Sequence, residues 1–274
     1  MSVNPELRTL DIDIPAQPES LVKLSLLLAE EDINLQAAAT LIEGDMALAS
    51  AVLRAVNSSL YGLKGRVQSV QQAITYLGLR EVAAITFEMG LRAAFPQAAE
   101  LEPLWHRAAQ RGMIMGRLAA KLDLDAWAAH SAGLFEECGK AVLFRHATDH
   151  YSAMLRAATD DADLVELERA GFGVSHDALG AALCESWGLA APAVASVRHH
   201  VLLQCAGEFS PVLPPARRGL VVLSAIVFWL LEDPERLDEA AAQLAPAADL
   251  DPTLVLRGVR QIKEQMDEAA AHGR

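Results

Sequence analysis

Three groups of reactive side chains invite a chemical reading. His146 and His150 lie four residues apart with Asp149 between them, a spacing that would set both imidazoles on one helix face. Two imidazoles suit a divalent metal, but a protein site needs a third ligand, so the pair is expected on a surface helix. Ser58 and Ser59 stand together without a His/Asp arrangement to activate a hydroxyl. Cys138, Cys184 and Cys205 are scattered without metal-ligand spacing. An odd number of isolated thiols suits a reducing compartment and inert, buried cysteines. Spacing alone completes no catalytic site.

The elements that must position any such groups are helices. Apolar residues recur at helical intervals as Leu21, Leu24, Leu27 and Leu28, and again as Leu48, Val52, Leu53 and Val56. Asn34 and Asp45 offer caps for helices over 35–42 and 46–57. Asn57 and Ser58 tend to end a helix, while Gly62 and Gly65 permit a tight corner. Ser69 with Gln72 is a capping-box pattern opening a helix that carries Val70, Ile74 and Leu77. Beyond Pro96 the pattern predicts a long helix from Leu101 to Lys121 and another from Ala126 to Phe144. A helix bearing His176, Leu179, Gly180, Leu183 and Trp187 follows. The next is opened by Pro192 and reaches His199-His200. An apolar helix over 219–231 and an amphipathic one over 252–266 come last. No βα alternation and no Gly-rich phosphate loop is present. The expected fold class is all-α, a two-lobed helical bundle with a tail over 1–14, a first lobe over 15–96 and a second over 97–274.

A formal net charge of −13 repels phosphate backbones, so nucleic acid is not an expected partner. The polar, acidic, proline-bearing start is unlike a signal peptide. The apolar run over 219–231 is short of the ~20 residues that span a bilayer. The chain reads as soluble and cytoplasmic, with no membrane partner.

The corner and the helix after it carry Asn57, Ser58, Tyr61, Gly62, Ser69, Ala73, Ile74, Leu77 and Gly78. In order and spacing these residues resemble the signature of the HDOD domain, a non-enzymatic relative of the HD and HD-GYP phosphohydrolases. The likeness continues through Trp105 to Ala108, Phe135-Glu136-Glu137-Cys138-Gly139-Lys140, His176 with Gly180, Trp187-Gly188-Leu189 and His199-His200. It treats 15–231 as one module whose second lobe is similar to an HD-domain core.

The resemblance implies a vestigial site at Arg107, Glu136, Glu137, Lys140, His176, His199 and His200. In HD enzymes a first His, a His-Asp dipeptide and a later Asp hold metals that activate water. Here Arg107 stands at the first position with His106 beside it, Glu136-Glu137 replaces His-Asp, and the 219–231 helix has no carboxylate. Two readings stay open for these residues: Arg107 pairs with Glu136 or Glu137 and ties two helices together where the metal would sit, or Arg107 and both glutamates face solvent.

The resemblance therefore implies no metal, no cofactor and no catalysis. It implies a regulatory module of bacterial signal transduction that acts through a signalling protein partner, with a homodimer left open. Asn57, Ser58, Tyr61 and Gly62 read as a helix C-cap with a packed tyrosine, or as an interaction corner. Two other readings stay open. One is a divergent metal-dependent phosphohydrolase of nucleotides or cyclic dinucleotides, built from His106, Glu136, Glu137, His176, His199 and His200. The other is a nucleotide-sensing module in which Lys140 or Arg107 contacts phosphate.

Overall fold

Side-chain caps set three of the early helix starts, those of the second, third and fourth helices. The computed structural model describes residues 12–28, 30, 32–58 and 67–272. In it α1 (Glu19–Leu28) buries Leu21 and Leu24. Asn34 Oδ1 accepts from the amides of Gln36 and Ala37 at 3.0 Å to open α2 (Leu35–Glu43). Asp45 accepts from the Leu48 amide at 3.0 Å to open α3 (Met46–Val56). Ser69 Oγ accepts from the Gln72 amide at 3.1 Å and opens α4 (Val70–Leu77). The return bond of this box runs from the Gln68 amide to Gln72 Oε1 at 2.8 Å, one residue outside the cap. α5 (Leu79–Ala93) completes the set. These helices form one compact unit over residues 16–97, to which 263–274 also belong.

The second unit spans 98–262 together with the segment ending at Pro15. Its helices are α6 (Glu102–Lys121), α7 (Ala126–Phe135), α8 (Cys138–His146), α9 (Thr148–Ala157), α10 (Asp161–Phe172), α11 (His176–Ser186), α12 (Ala191–Ala206), α13 (Arg218–Glu232), α14 (Leu237–Leu244) and α15 (Pro252–His272), the last to Ile262. Among the described residues there is no strand, so the fold is all-α. No helix among them is long and apolar enough to cross a membrane. α13 is buried from Leu220 to Val227 and packs on α6, α7 and α12.

One helix expected over 126–144 is two. The chain turns at Glu136-Glu137, where Glu137 adopts φ −100°, ψ 5° and breaks the helical ladder between α7 and α8. Apolar periodicity runs through both helices without a gap, which hides the break from a sequence reading. His146 ends α8 and His150 lies on α9. They therefore do not share a helix face. Each instead rests edge-on against Phe172, with ring centroids 6.0 and 5.4 Å away.

Two glycines allow the close crossings around this turn. A Cβ on Gly133 of α7 would sit 2.7 Å from the backbone of Arg111 and Gly112 on α6, and one on Gly139 of α8 would run into the His176 carbonyl on α11.

Candidate functional site

The turn between α7 and α8 aims two buried carboxylates at different partners. Glu136 accepts from Arg111 Nη1 at 2.9 Å, Gln204 Nε2 at 2.8 Å and Ser224 Oγ at 2.6 Å. These donors come from α6, α12 and α13, so one carboxylate joins three helices. Gln204 Nε2 also donates to Ser224 Oγ at 2.9 Å, and the Arg111 guanidinium lies over the Phe228 ring, 5.6 Å from its centroid.

Glu137 accepts from Lys140 Nζ at 2.8 Å and Arg107 Nε at 3.1 Å, with Arg111 Nη1 3.7 Å away. Burial pushes its carboxyl toward protonation, but Lys140, Arg111 and Arg107 outweigh it and hold the group well below its ordinary 4.5. Lys140 also donates to Asp161 Oδ1 at 2.7 Å, at the N-terminus of α10. Asp161 lines a cavity of about 220 Å³ with Lys140, Arg107, Glu100 and Asp160.

A second arm of the network holds the histidines. His176 Nδ1 lies 2.8 and 3.0 Å from the two oxygens of Glu168, which also accepts from the His176 amide at 2.7 Å and from Tyr151 Oη at 2.6 Å. Burial and the Glu168 carboxylate push the Tyr151 phenol well above its ordinary range, so it stays a donor. His200 Nδ1 lies 2.7 Å from the Val197 carbonyl oxygen. Burial lowers the His200 pKa and favours its neutral form. The two rings lie 5.6 Å apart.

The structure thus gathers half-buried Arg107 and buried Glu136, Glu137 and Lys140 into one ion-pair network, with buried His176 and His200 beside its Asp161. His199 is not part of it. The next residue on a helix points roughly a quarter-turn away, and His199 is half-buried rather than enclosed. His106 is exposed on α6. The residues around Glu136-Glu137 do not fit the metal that the HD resemblance implies for that dipeptide. Both carboxylates already accept hydrogen bonds from cationic or hydroxyl donors.

At the corner, Asn57 donates from Nδ2 to the Leu53 and Val67 carbonyls at 3.0 and 2.8 Å, and its Oδ1 accepts from the Val67 amide at 3.2 Å. Its side chain mimics a backbone pair across the corner. Ser58 is exposed. Tyr61 and Gly62 lie outside the described residues.

The sequence reading missed Arg111, Tyr151, Asp161, Glu168, Gln204 and Ser224. Some signals existed. Arg111 is four residues after Arg107 and Gln204 four after His200, each on the same face. Ser224 is the one polar residue in the apolar stretch 219–231. Glu168 and Asp161 left no such mark, because α10 itself went unread.

A curated relative, an uncharacterized protein from Treponema pallidum (strain Nichols), is 28% identical over 214 residues, 73% of this chain and 40% of that protein. The chain therefore spans about two-fifths of that relative's length. Among solved structures, a candidate phosphohydrolase from Shewanella amazonensis SB2B has 20% identity and a TM-score of 0.71, covering 98% of both chains. A candidate signal transduction protein from Marinobacter aquaeolei VT8 has 21% identity and a TM-score of 0.73, covering 99% of this chain and 67% of that one. An HDOD domain protein of unknown function from Geobacter sulfurreducens has 18% identity and a TM-score of 0.71, covering 96% and 94%. These likenesses establish a shared fold. The HDOD domain model matches residues 14–202, more than half of the sequence, and the chain belongs to the HDOD domain family.

Proposed function

We propose that this chain is a non-catalytic regulatory module of a bacterial signalling pathway, working through contact with a protein partner. One observation carries the non-catalytic part. Glu136 and Glu137, at the position where HD enzymes keep a metal-binding dipeptide, are engaged by Arg111, Arg107 and Lys140. Both oxygens of each carboxylate already accept hydrogen bonds, and the adjacent fixed positive charges repel a metal ion. The ion pairs are read here as cross-links that stand in for the metal, tying α6 to the turn before α8. Membership of a signalling-related, HD-like family supports the setting.

The nucleotide-sensing reading is less supported. Lys140 is already bonded to two carboxylates, and the cavity beside it is walled by Glu100, Asp160 and Asp161 as well as Arg107. A phosphate would meet as much negative as positive charge there.

The test is reconstitution. A partner captured from the source cell is purified and mixed with this chain, with and without nucleotides. The reading expects a stoichiometric complex that forms without nucleotide and survives the Arg107→Lys substitution. A complex that forms only with a nucleotide, or turnover of that nucleotide, would contradict it.

A further inference from the structure

We propose that residues 12–15 are a displaceable strap, and that the groove beneath them on the second unit takes an extended, acidic, proline-bearing segment of the signalling partner. The inference rests on the protein-contact reading and gives that contact a surface.

The strap shows what the groove recognises. Residues 12–18 form neither helix nor strand. Pro15 is buried, and its carbonyl oxygen accepts from the Trp187 indole Nε1 at 2.8 Å. Asp13 Oδ2 accepts from Nη2 of Arg145, in the last turn of α8, at 2.8 Å. Ile12 and Ile14 are half-buried on either side of exposed Asp13. The pattern recognised is a carboxylate two residues before a proline, with apolar neighbours, on an extended backbone.

The groove wall is well anchored. Trp187 caps the end of α11, is 5% exposed, and stands edge-on to Phe135 with ring centroids 5.4 Å apart. Phe135 immediately precedes Glu136, so the indole rests against the end of α7 that leads into the ion-pair network. An indole N–H can only donate, and a buried donor that loses its acceptor is costly. An empty groove is therefore disfavoured, and a carbonyl from another extended segment removes that cost.

The strap itself is lightly held. The Asp13 and Arg145 side chains are 80% and 36% exposed, and ion pairs at that exposure add little. Two residues beyond Pro15, Gln17 Nε2 is buried without a hydrogen-bond partner, which counts against the seated arrangement. A segment outside helix and sheet opens at lower cost than the core that it covers. A partner segment of the same chemistry, free of the unsatisfied amide, can therefore take its place.

The probe is a capped peptide copying residues 12–16, Ile-Asp-Ile-Pro-Ala. It is titrated into the full chain and followed by the anisotropy of a dye on the peptide and by the Trp187 indole N–H resonance, assigned with Trp187→Phe. A tethered strap acts at an effective concentration on the order of a millimolar, so the unaltered chain takes up little peptide. Asp13→Ala/Pro15→Gly weakens the strap, and this variant is expected to bind at least about tenfold tighter and to shift the Trp187 resonance. Adding Arg145→Glu costs about tenfold, and a peptide with Lys in place of Asp recovers the loss. Should Pro15→Gly misfold by circular dichroism, Asp13→Ala alone carries the comparison. No uptake by the weakened variants up to about 1 mM, uptake indifferent to Arg145→Glu, or a dimer made by strap exchange between copies, seen in light scattering, overturns the proposal. So does a signalling partner whose complex keeps its full affinity in Arg145→Glu, a result that leaves the protein-contact reading standing.

Discussion

Arg111 lies at the junction of the two carboxylates, with its guanidinium beside Glu136 and within 3.7 Å of Glu137. Removing it leaves buried charge without a partner, so Arg111→Met is expected to cost about 3–5 kcal/mol in urea unfolding. Replacing the pair together, as Arg111→Met with Glu136→Leu, should recover much of that loss, because the desolvation cost goes with both charges.

The pH dependence follows from the same groups. Lys140, Arg111 and Arg107 hold Glu137 below its ordinary 4.5, and Lys140 holds Asp161 below 3.8, each against the opposing effect of burial. Below those ordinary values the unfolded chain takes up protons before the folded one does. Stability from these groups is therefore complete above about pH 5 and lost as pH falls through the folded values. Acid unfolding followed by circular dichroism should steepen below pH 4.5 and soften in Glu137→Gln. Glu88 on α5 behaves oppositely. Burial raises its pKa to about 7, with Arg92 pulling the other way. The folded state then holds the proton that the unfolded chain releases, and stability declines as pH rises from 4.5 toward 7. Glu88→Gln should accordingly raise the melting temperature at pH 8 and leave it nearly unchanged at pH 4. A rise of equal size at both pH values would contradict that assignment.

At the scale of elements, the glycines of the second unit matter through what they allow to approach. Gly139 brings α8 against the His176 carbonyl, fixing the crossing of α8 and α11 that places Lys140 and His176 in one network. Gly139→Ala must push backbone against backbone, and a cost of about 3 kcal/mol or more is expected. Gly180→Ala on the facing helix should cost less. Its added Cβ meets the Val197 side chain at 3.0 Å, and the nearest backbone atom, the Gly139 nitrogen, lies at 3.4 Å in ordinary contact. Equal destabilisation by the two substitutions in urea unfolding would count against this account of the crossing.

Legibility in the sequence divides at this scale. The caps at Asn34, Asp45 and Ser69 were readable because each is a short polar side chain placed before an apolar stripe. The turn at Glu136-Glu137 was not. The apolar pattern continues on both sides, and a pair of glutamates looks like solvent-facing surface until its distant cations are known. Arg111 precedes Glu136 by 25 residues and Ser224 follows it by 88, separations at which periodicity carries no information. The family likeness supplied Arg107, Glu136, Glu137, Lys140, His176 and His200, while Asp161 and Glu168 came only with the coordinates of α10.

Across the whole molecule, one fold carries different chemistries. The fold is shared with a protein named as a candidate phosphohydrolase and with one named as a candidate signal transduction protein, and a fold alone does not fix function. Here Glu136 and Glu137, which the HD resemblance sets at the dipeptide position, are committed to fixed cations. The central claim is that such a network binds the helices together and does not hydrolyse. The most direct measurement is phosphodiester turnover by the full chain, supplied in turn with Mg²⁺, Mn²⁺ and Zn²⁺ and offered linear and cyclic dinucleotides. The account predicts product formation no faster than in buffer with the same metals. Turnover that tracks the protein and disappears in His200→Ala, with the fold retained, would contradict it.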